Sequence, residues 1–300
     1  MKMKNLWKRG AAAVLALVLA LGLTACGGKD GGDGDAASAM LSARESMQKV
    51  NSMSYIYSME MSMKADGKTV EMTVDGTADM TMDPVAAKMT MNMNMLGMSL
   101  TGIELYMVQE GSQTVTYTGM DLFGQGEKTW TKTTGGDGST GVSMEQYNAK
   151  DSFDLYLKNG ANFKAMGTET VQGAPATRYE GVIAKDMLKD TLEKSGSMEQ
   201  LDSMVDANID DVLKKVGDIS VTMWLDNETG LPAALIFLKY VIDMTNFLVS
   251  MMELAAENAG ESADVSADKF VVSMEVTKYN GVGEIKVPQD ILDSAAEIES

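Results

Sequence analysis

An alternation of apolar and polar residues, with a period of two, runs from Met53 to about residue 107 and constrains the fold more than any other feature of the chain. In a β-strand successive side chains point to opposite faces of the sheet, so this period is typical of strands rather than helices. The pattern predicts an antiparallel meander with one apolar and one polar face. Its first apolar series is Met53, Tyr55, Tyr57, Met59, Met61 and Met63.

Turn signals divide this region into strands. Asp66-Gly67, Asp83-Pro84 and Leu96-Gly97 each predict a turn, and a change of parity at Gly102 predicts a β-bulge. Further strands are predicted at 114–118, around 130, and at 162–171, 176–183, 219–225, 234–244 and 270–279.

Helical spacing of apolar residues appears in four other segments. They cover 36–50, 152–158, 185–215 with a break at 195–196, and 245–258, where Thr245 is placed to cap the helix. The stretch 235–252 is the most apolar inside the chain, but Lys239 and Asp243 interrupt it, so no internal membrane span is predicted.

The N-terminus has the order of parts found in a bacterial lipoprotein signal. A basic start is followed by an apolar run from Ala11 to Leu21, and the run closes on Leu23-Thr24-Ala25-Cys26. We therefore predict a signal peptide over 1–25, lipidation of Cys26 with acyl chains such as palmitate, a flexible tether over 26–35, and a single domain over 36–300. The alternative is an ordinary signal peptide or an N-terminal membrane helix with an incidental cysteine. The lipidated chain is expected on the outer face of the cytoplasmic membrane.

Composition excludes several functional classes. The formal net charge is −18 and becomes −22 without residues 1–25, which argues against a nucleic-acid partner. The chain has no histidine, and its one cysteine is used by the anchor, so imidazole- or thiolate-dependent catalysis and the usual zinc sites are not expected. No phosphate-binding glycine motif occurs. We predict no enzyme activity, no cofactor and no bound metal.

Methionine is unusually frequent, and 12 of the 28 methionines fall between Met53 and Met98. Unbranched thioethers form an adaptable apolar wall, which suits a cavity for acyl chains of differing shape. Two alternatives are ordinary core packing and Cu(I) binding by thioether sulfurs. Against copper, methionines alternating on one strand lie about 7 Å apart, too far to share an ion. The candidate ligand-binding residues are Met59, Met61, Met63, Met72, Met80, Met89, Met91, Met93, Met95 and Leu105.

Several motifs, in their order along the chain, resemble those of the LolA, LppX and LprG-like lipoprotein superfamily, and most closely its Met-rich members from Gram-positive bacteria. The N-terminal motifs are the lipobox Leu23-Thr24-Ala25-Cys26, the leading helix running into Val50-Asn51-Ser52-Met53-Ser54-Tyr55, and the strands with alternating methionines. The later motifs are Trp130-Thr131-Lys132, Met223-Trp224-Leu225-Asp226 with Thr229-Gly230-Leu231-Pro232, and Tyr279-Asn280-Gly281 with Ile285 and Pro288 before a short terminal helix.

The resemblance implies an α+β fold: a strongly curved antiparallel sheet of about one and a half barrel turns, with helices packed in its concave side and acyl chains held there in the characterised relatives. The expected helix at 245–258 departs from the closest relatives, which run strand into strand at that place.

Two functions follow as expectations. The first is a lipid-anchored, non-enzymatic cell-envelope protein that binds a hydrophobic or lipidic ligand in a Met-lined cavity. The second is an envelope interaction or sensor module with a filled core and no lipid cargo. Neither the ligand nor a protein partner is identified by the sequence.

Overall fold

The computed structural model describes residues 33–65, 68–111, 113–121, 126–135, 163–183, 189, 219–226, 237–259 and 265–298. Several sequence predictions lie outside these residues: the signal peptide, Cys26, most of the tether, the turn at Asp66-Gly67, and the helices at 152–158 and 185–215, of which only residue 189 is described.

The described residues form three helices and twelve strands. The helices are α1 (Asp33–Met47), α2 (Thr245–Ala259) and α3 (Gln289–Ser294). The strands are β1 (Ser52–Ala65), β2 (Lys68–Met82), β3 (Val85–Met95), β4 (Met98–Glu110), β5 (Gln113–Met120), β6 (Thr129–Gly135), β7 (Lys164–Val171), β8 (Ala174–Ile183), β9 (Ile219–Asp226), β10 (Phe237–Asp243), β11 (Val265–Tyr279) and β12 (Ala296–Glu297).

The twelve described strands form one open, mostly antiparallel sheet. Their hydrogen-bonded order is β12-β6-β5-β4-β3-β2-β1-β11-β10-β9-β8-β7. The two-residue strand β12 pairs in parallel with β6, whereas β2 to β6 form a continuous antiparallel meander. The prediction of a large antiparallel sheet is therefore confirmed, while the barrel turns and the helices in a concave side stay predictions.

The chain divides into two compact units, each assembled from separate stretches. The first contains residues 1–49, 61–70 and 145–273, and the second contains residues 50–60, 71–144 and 274–300. Strands β1, β2 and β11 each contribute residues to both units. The single domain expected over 36–300 stays a prediction.

Turns and the bulge in the meander lie where the sequence placed them. Leu96 and Gly97, with φ values of 52° and 77°, turn the chain between β3 and β4. The register of these two strands shifts between Met91 and Met93, opposite Gly102, whose φ is 64°. A left-handed backbone at Gly102 meets no Cβ penalty, so glycine is suited to this bulge. The predicted bulge is confirmed.

Helices α1 and α2 belong to the first unit and confirm that the two predicted helices exist, but α1 begins at Asp33, within the predicted tether, and ends at Met47 rather than at residue 50. In α1 the buried side chains Ala36, Ala39, Met40 and Ala43 recur at the spacing of one helical face. At the start of α2, the carboxylate of Asp243 accepts a hydrogen bond from the Thr245 amide (3.0 Å). The Thr245 hydroxyl in turn accepts one from the Phe270 amide on β11 (2.8 Å). Asp243 thus holds the helix start, and Thr245 ties it to the sheet.

The expected polar face of the meander is not polar throughout. In the second unit, a small core of Tyr106, Val115, Tyr117 and Ile291 lies beside half-buried Trp130. Tyr106 and Tyr117 are paired across β4 and β5, on the face opposite Leu105. Ile291 lies in α3, so the C-terminal segment covers apolar residues that the alternation had assigned to solvent. Local periodicity does not show which distant segment will cover a face.

Candidate ligand-binding face

The pairing of β2, β3 and β4 places the predicted methionines side by side. Met89 lies opposite Ala78 on β2 and Leu105 on β4, and residues directly opposite each other share one face of the sheet. We call this surface of the second unit the Met face. It comprises Met72, Met80, Met89, Met91, Met93, Met95 and Leu105, with Val74, Ala78, Ile103 and Met107 between them.

Burial changes along the Met face. Met72 exposes 2% of its surface, and Met89 and Met91 expose 7% each. Along β3, towards the β3–β4 turn, Met93 and Met95 become half-buried, while Met72 on β2 stays buried although it is paired with Met95. Leu105, opposite Met89, is half-buried. The part of the face on β3 and β4 is therefore partly open at the hairpin, and the part on β2 is covered.

Tyr57 of β1 also lies on the Met face. A Cβ atom added to Gly76, which is paired with Met91, would lie 2.7 Å from the Tyr57 hydroxyl oxygen. The absence of a side chain at Gly76 thus makes room for the phenol ring. The Tyr57 hydroxyl donates a long hydrogen bond to the Thr90 carbonyl oxygen (3.3 Å). Burial, and then the charge of Asp75, raises the pKa of Tyr57 to about 12.

The three candidate residues on β1 are divided between the units. Met59 is 2% exposed and has the same parity as Tyr57, so it belongs with the Met face in the second unit. Met61, which is 9% exposed, and half-buried Met63 belong to the first unit. Eight of the ten predicted residues are thus brought onto one face of one unit. Their role in ligand binding stays a prediction.

The list of candidate ligand-binding residues omitted some contributors to this face, although the alternation placed them on its apolar side. Val74, Ile103 and Met107 are all buried on it. Their signal was present, since each has the parity of its methionine neighbours once the bulge at Gly102 is allowed for. Among the described residues, no three His, Cys, Asp or Glu side chains are grouped as a metal site would need.

A separate polar cluster surrounds Trp224 on the first unit. The Trp224 indole nitrogen donates a 2.7 Å hydrogen bond to Glu169, and Arg178 lies 3.3 Å from the other Glu169 oxygen. Arg178 and Lys239, from the two flanking strands, lie 5.9 and 5.4 Å from the indole ring. The Trp224 hydrogen bond, and then Arg178, lowers the pKa of Glu169. This cluster ties four strands together through their side chains.

Residues 36–296 match the family described as "Family of unknown function (DUF6612)". The chain belongs to this family. No protein of curated function matches it. The DUF6612 match includes residues of both units and all of the described strands except the last residue of β12.

Solved structures similar to this DUF6612 chain include the lipoprotein LppX of Mycobacterium tuberculosis, at 13% identity and TM-score 0.39, covering 84% of this chain and 98% of LppX. LprF of Mycobacterium bovis is 13% identical with TM-score 0.43, covering 83% and 94%. A LolA superfamily protein of Nitrosomonas europaea is 8% identical with TM-score 0.15, covering 84% and 94%.

No helix in the part of the chain that the structure describes combines the length and the apolar character needed to cross a membrane.

Proposed function

We propose that this protein is a cell-envelope lipoprotein, anchored through Cys26 on the outer face of the membrane, that binds a hydrophobic or lipidic ligand against the Met face without catalysing a reaction. The observation that carries the proposal is the Met face itself. Its methionines come from three adjacent strands, share one side of the sheet and grade from buried Met91 to half-buried Met95.

The side chains on this face favour binding over chemistry. Thioethers and aliphatic groups provide dispersion contacts with acyl chains and can adapt their rotamers to different shapes. The Tyr57 hydroxyl lies among them. Like an ordinary tyrosine it is neutral at physiological pH, and burial raises its pKa further, to about 12. A neutral phenol can orient a ligand by one hydrogen bond but does not act as a general base at that pH.

A second candidate function is an interaction or sensor module with a filled core. The observation in its favour is the deep burial of Met59 and Met72, each 2% exposed. Side chains buried to that extent behave as ordinary core residues, and truncating such a methionine typically costs about 2 to 5 kcal/mol.

One experiment separates the two functions. Met91→Trp and Met93→Trp are compared with the parent for thermal stability and for binding of a dansyl-labelled fatty acid. If ligand occupies this face, the larger ring takes up ligand space, so probe affinity falls while the fold survives. In a filled core the same change overpacks the interior and typically costs about 1 to 3 kcal/mol.

Thr90→Ser is the matched control, since Thr90 points to the opposite face and shares a 2.7 Å hydrogen bond with the Thr77 hydroxyl that serine can keep. It should leave both stability and probe binding unchanged. Absence of probe binding in the parent, together with a large loss of stability in the Trp variants, would contradict the ligand proposal and favour the filled core.

A further inference from the structure

The turn between β3 and β4 exposes large apolar side chains at its tip. Leu96, Met98 and Leu100 are 56%, 62% and 40% exposed. Isolated exposed hydrophobic residues are common, but three within five residues at one hairpin end form a local patch of the kind used for binding.

This tip continues the Met face. Met98 is paired with Met95, and Leu100 is paired with Met93, so the four side chains share the side of the sheet that holds Met91. The apolar surface is therefore continuous from the buried interior of the second unit to the exposed end of the hairpin.

The opposite side of the hairpin is polar but uncharged. Asn94 is paired with Ser99, and its amide nitrogen lies 3.4 Å from the Thr73 hydroxyl. The hairpin thus has one apolar and one neutral polar side, and apolar Leu96 forms its end.

Charge distinguishes this segment from the rest of the protein. Residues 89–103 contain no Asp, Glu, Lys or Arg, although the whole chain carries a formal net charge of −18. Lys88 and Glu104 are the first charged residues on either side. A neutral, apolar tip neither repels anionic lipid headgroups nor carries the desolvation cost of a charge brought against hydrocarbon.

We propose that the β3–β4 hairpin tip inserts Leu96, Met98 and Leu100 into the interfacial region of a lipid bilayer, so that the open end of the Met face meets the membrane. The occupant is a bilayer surface, because the patch is uncharged, continuous with an apolar face and part of a chain with a predicted lipid anchor. The inference rests on the proposed function for its purpose, but insertion is a separate physical event from ligand binding.

Vesicle binding tests the proposal. The mature chain from residue 26, with Cys26→Ser so that no acyl anchor contributes, is sedimented with phosphatidylcholine vesicles containing phosphatidylglycerol. Replacing Leu96, Met98 and Leu100 together by Ser should lower the partition coefficient between vesicles and solution by at least about tenfold, because it removes most of the apolar surface available for insertion.

The matched control replaces Ile56 and Met166, which are exposed to 48% and 53% at other places, by Ser. It should change the partition coefficient less than about twofold, since neither residue is at the hairpin. Thermal unfolding of all three proteins shows whether they are folded, and exposed positions should tolerate these changes.

A positional readout uses the same Cys26→Ser background, which has no other cysteine. An environment-sensitive nitrobenzoxadiazole dye at Met98→Cys should brighten with vesicles and be quenched by lipids carrying spin labels on their acyl chains. The same dye at Met166→Cys should do neither.

Three outcomes overturn the proposal. The first is an unchanged partition coefficient in the triple variant, and the second is a dye at Met98→Cys that does not respond to vesicles. The third is that the triple variant loses a dimer formed by the parent while it still binds vesicles, which would mean that the hairpin tip binds a second copy of the chain. Failure of the proposed function is recognised independently, because it appears as absence of fatty-acid binding by the parent in a vesicle-free solution.

Discussion

Tyr57 places a polar group on the Met face. Its ring occupies the space left by Gly76, and its hydroxyl reaches the Thr90 carbonyl at 3.3 Å. The neighbouring Tyr55 ring lies 6.2 Å away, between centroids, and burial raises the pKa of Tyr55 as well. Two phenols in an apolar environment make the folded state sensitive to high pH.

The first prediction concerns alkaline stability. The pKa of Tyr57 is raised from 10.0 to about 12, so above pH 10 the unfolded chain loses this proton while the folded protein keeps it. The contribution to stability is complete below pH 10 and is lost as the pH rises through about 12. Urea unfolding at pH values from 8 to 12 should show the free energy of unfolding falling over this range.

Tyr57→Phe is the matched variant, because it keeps the ring over Gly76 and removes the ionisable hydroxyl. It should change stability at pH 8 by no more than about 1 kcal/mol, the typical net value of one hydrogen bond. Its loss of stability above pH 10 should be smaller than that of the parent, with the remainder coming from Tyr55 and other tyrosines. If the free energy of unfolding depends on pH in the same way in the two proteins, the pKa of Tyr57 is not raised on folding.

At the level of elements, the C-terminal segment converts part of a polar face into a second core. Ile285, Val287 and Ala295 pack with Ile291 of α3 against Tyr106 and Tyr117, and β12 then pairs with β6. Lys132 on β6 lies 5.8 Å from the Tyr117 ring and 3.6 Å from Glu110, which accepts a hydrogen bond from the Tyr117 hydroxyl at 3.0 Å. Apolar contacts and the pairing of β12 with β6 hold the segment on the sheet, and the polar contacts of Tyr117 border this core.

The second prediction compares two adjacent residues of α3. Ile291 is 4% exposed, and Ile291→Ala should lower the free energy of unfolding by about 2 to 5 kcal/mol because it opens a cavity against the tyrosines. Leu292, at 41% exposed, is the control, and Leu292→Ala should change stability by no more than about 0.5 kcal/mol. Urea unfolding measures both. Equal effects of the two substitutions would mean that α3 does not cover this face.

At the level of the whole molecule, the proposed function requires attachment to a membrane. The described strands carry the Met face, and the N-terminal sequence predicts that attachment occurs through Cys26. A diacylglyceryl group provides two acyl chains, enough for stable attachment where a single chain gives only reversible binding.

The third prediction is that attachment requires Cys26. In cells, Cys26→Ser should leave the precursor unprocessed or release the protein into the medium, whereas the parent stays in the membrane fraction after washing without detergent. Mass spectrometry of the N-terminal peptide should find a diacylglyceryl group on the parent. Equal membrane retention of a Cys26→Ser chain from which the signal has been removed would contradict lipid anchoring.

The sequence by itself determined those features that depend on near neighbours. The strands of the meander, the turns at Asp83-Pro84 and Leu96-Gly97, and the bulge at Gly102 all followed from alternation and from the backbone preferences of a few residues. Most of the Met face followed too, because parity within a strand decides which side chains share a side, and Met72, Met89 and Met91 are buried as the alternation predicted.

Only the tertiary structure decided which faces are covered, and by what. Nothing near Tyr106 in the sequence indicates that Ile291 will pack against it, and nothing near Gly76 indicates that Tyr57 will fill its place. Such contacts depend on strand order and register, which join residues far apart in the chain. The same holds for Met98 and Leu100, whose pairing with Met95 and Met93 extends the Met face to an exposed tip. Periodicity gives each strand two faces, but only the assembled sheet selects which face is buried at each position.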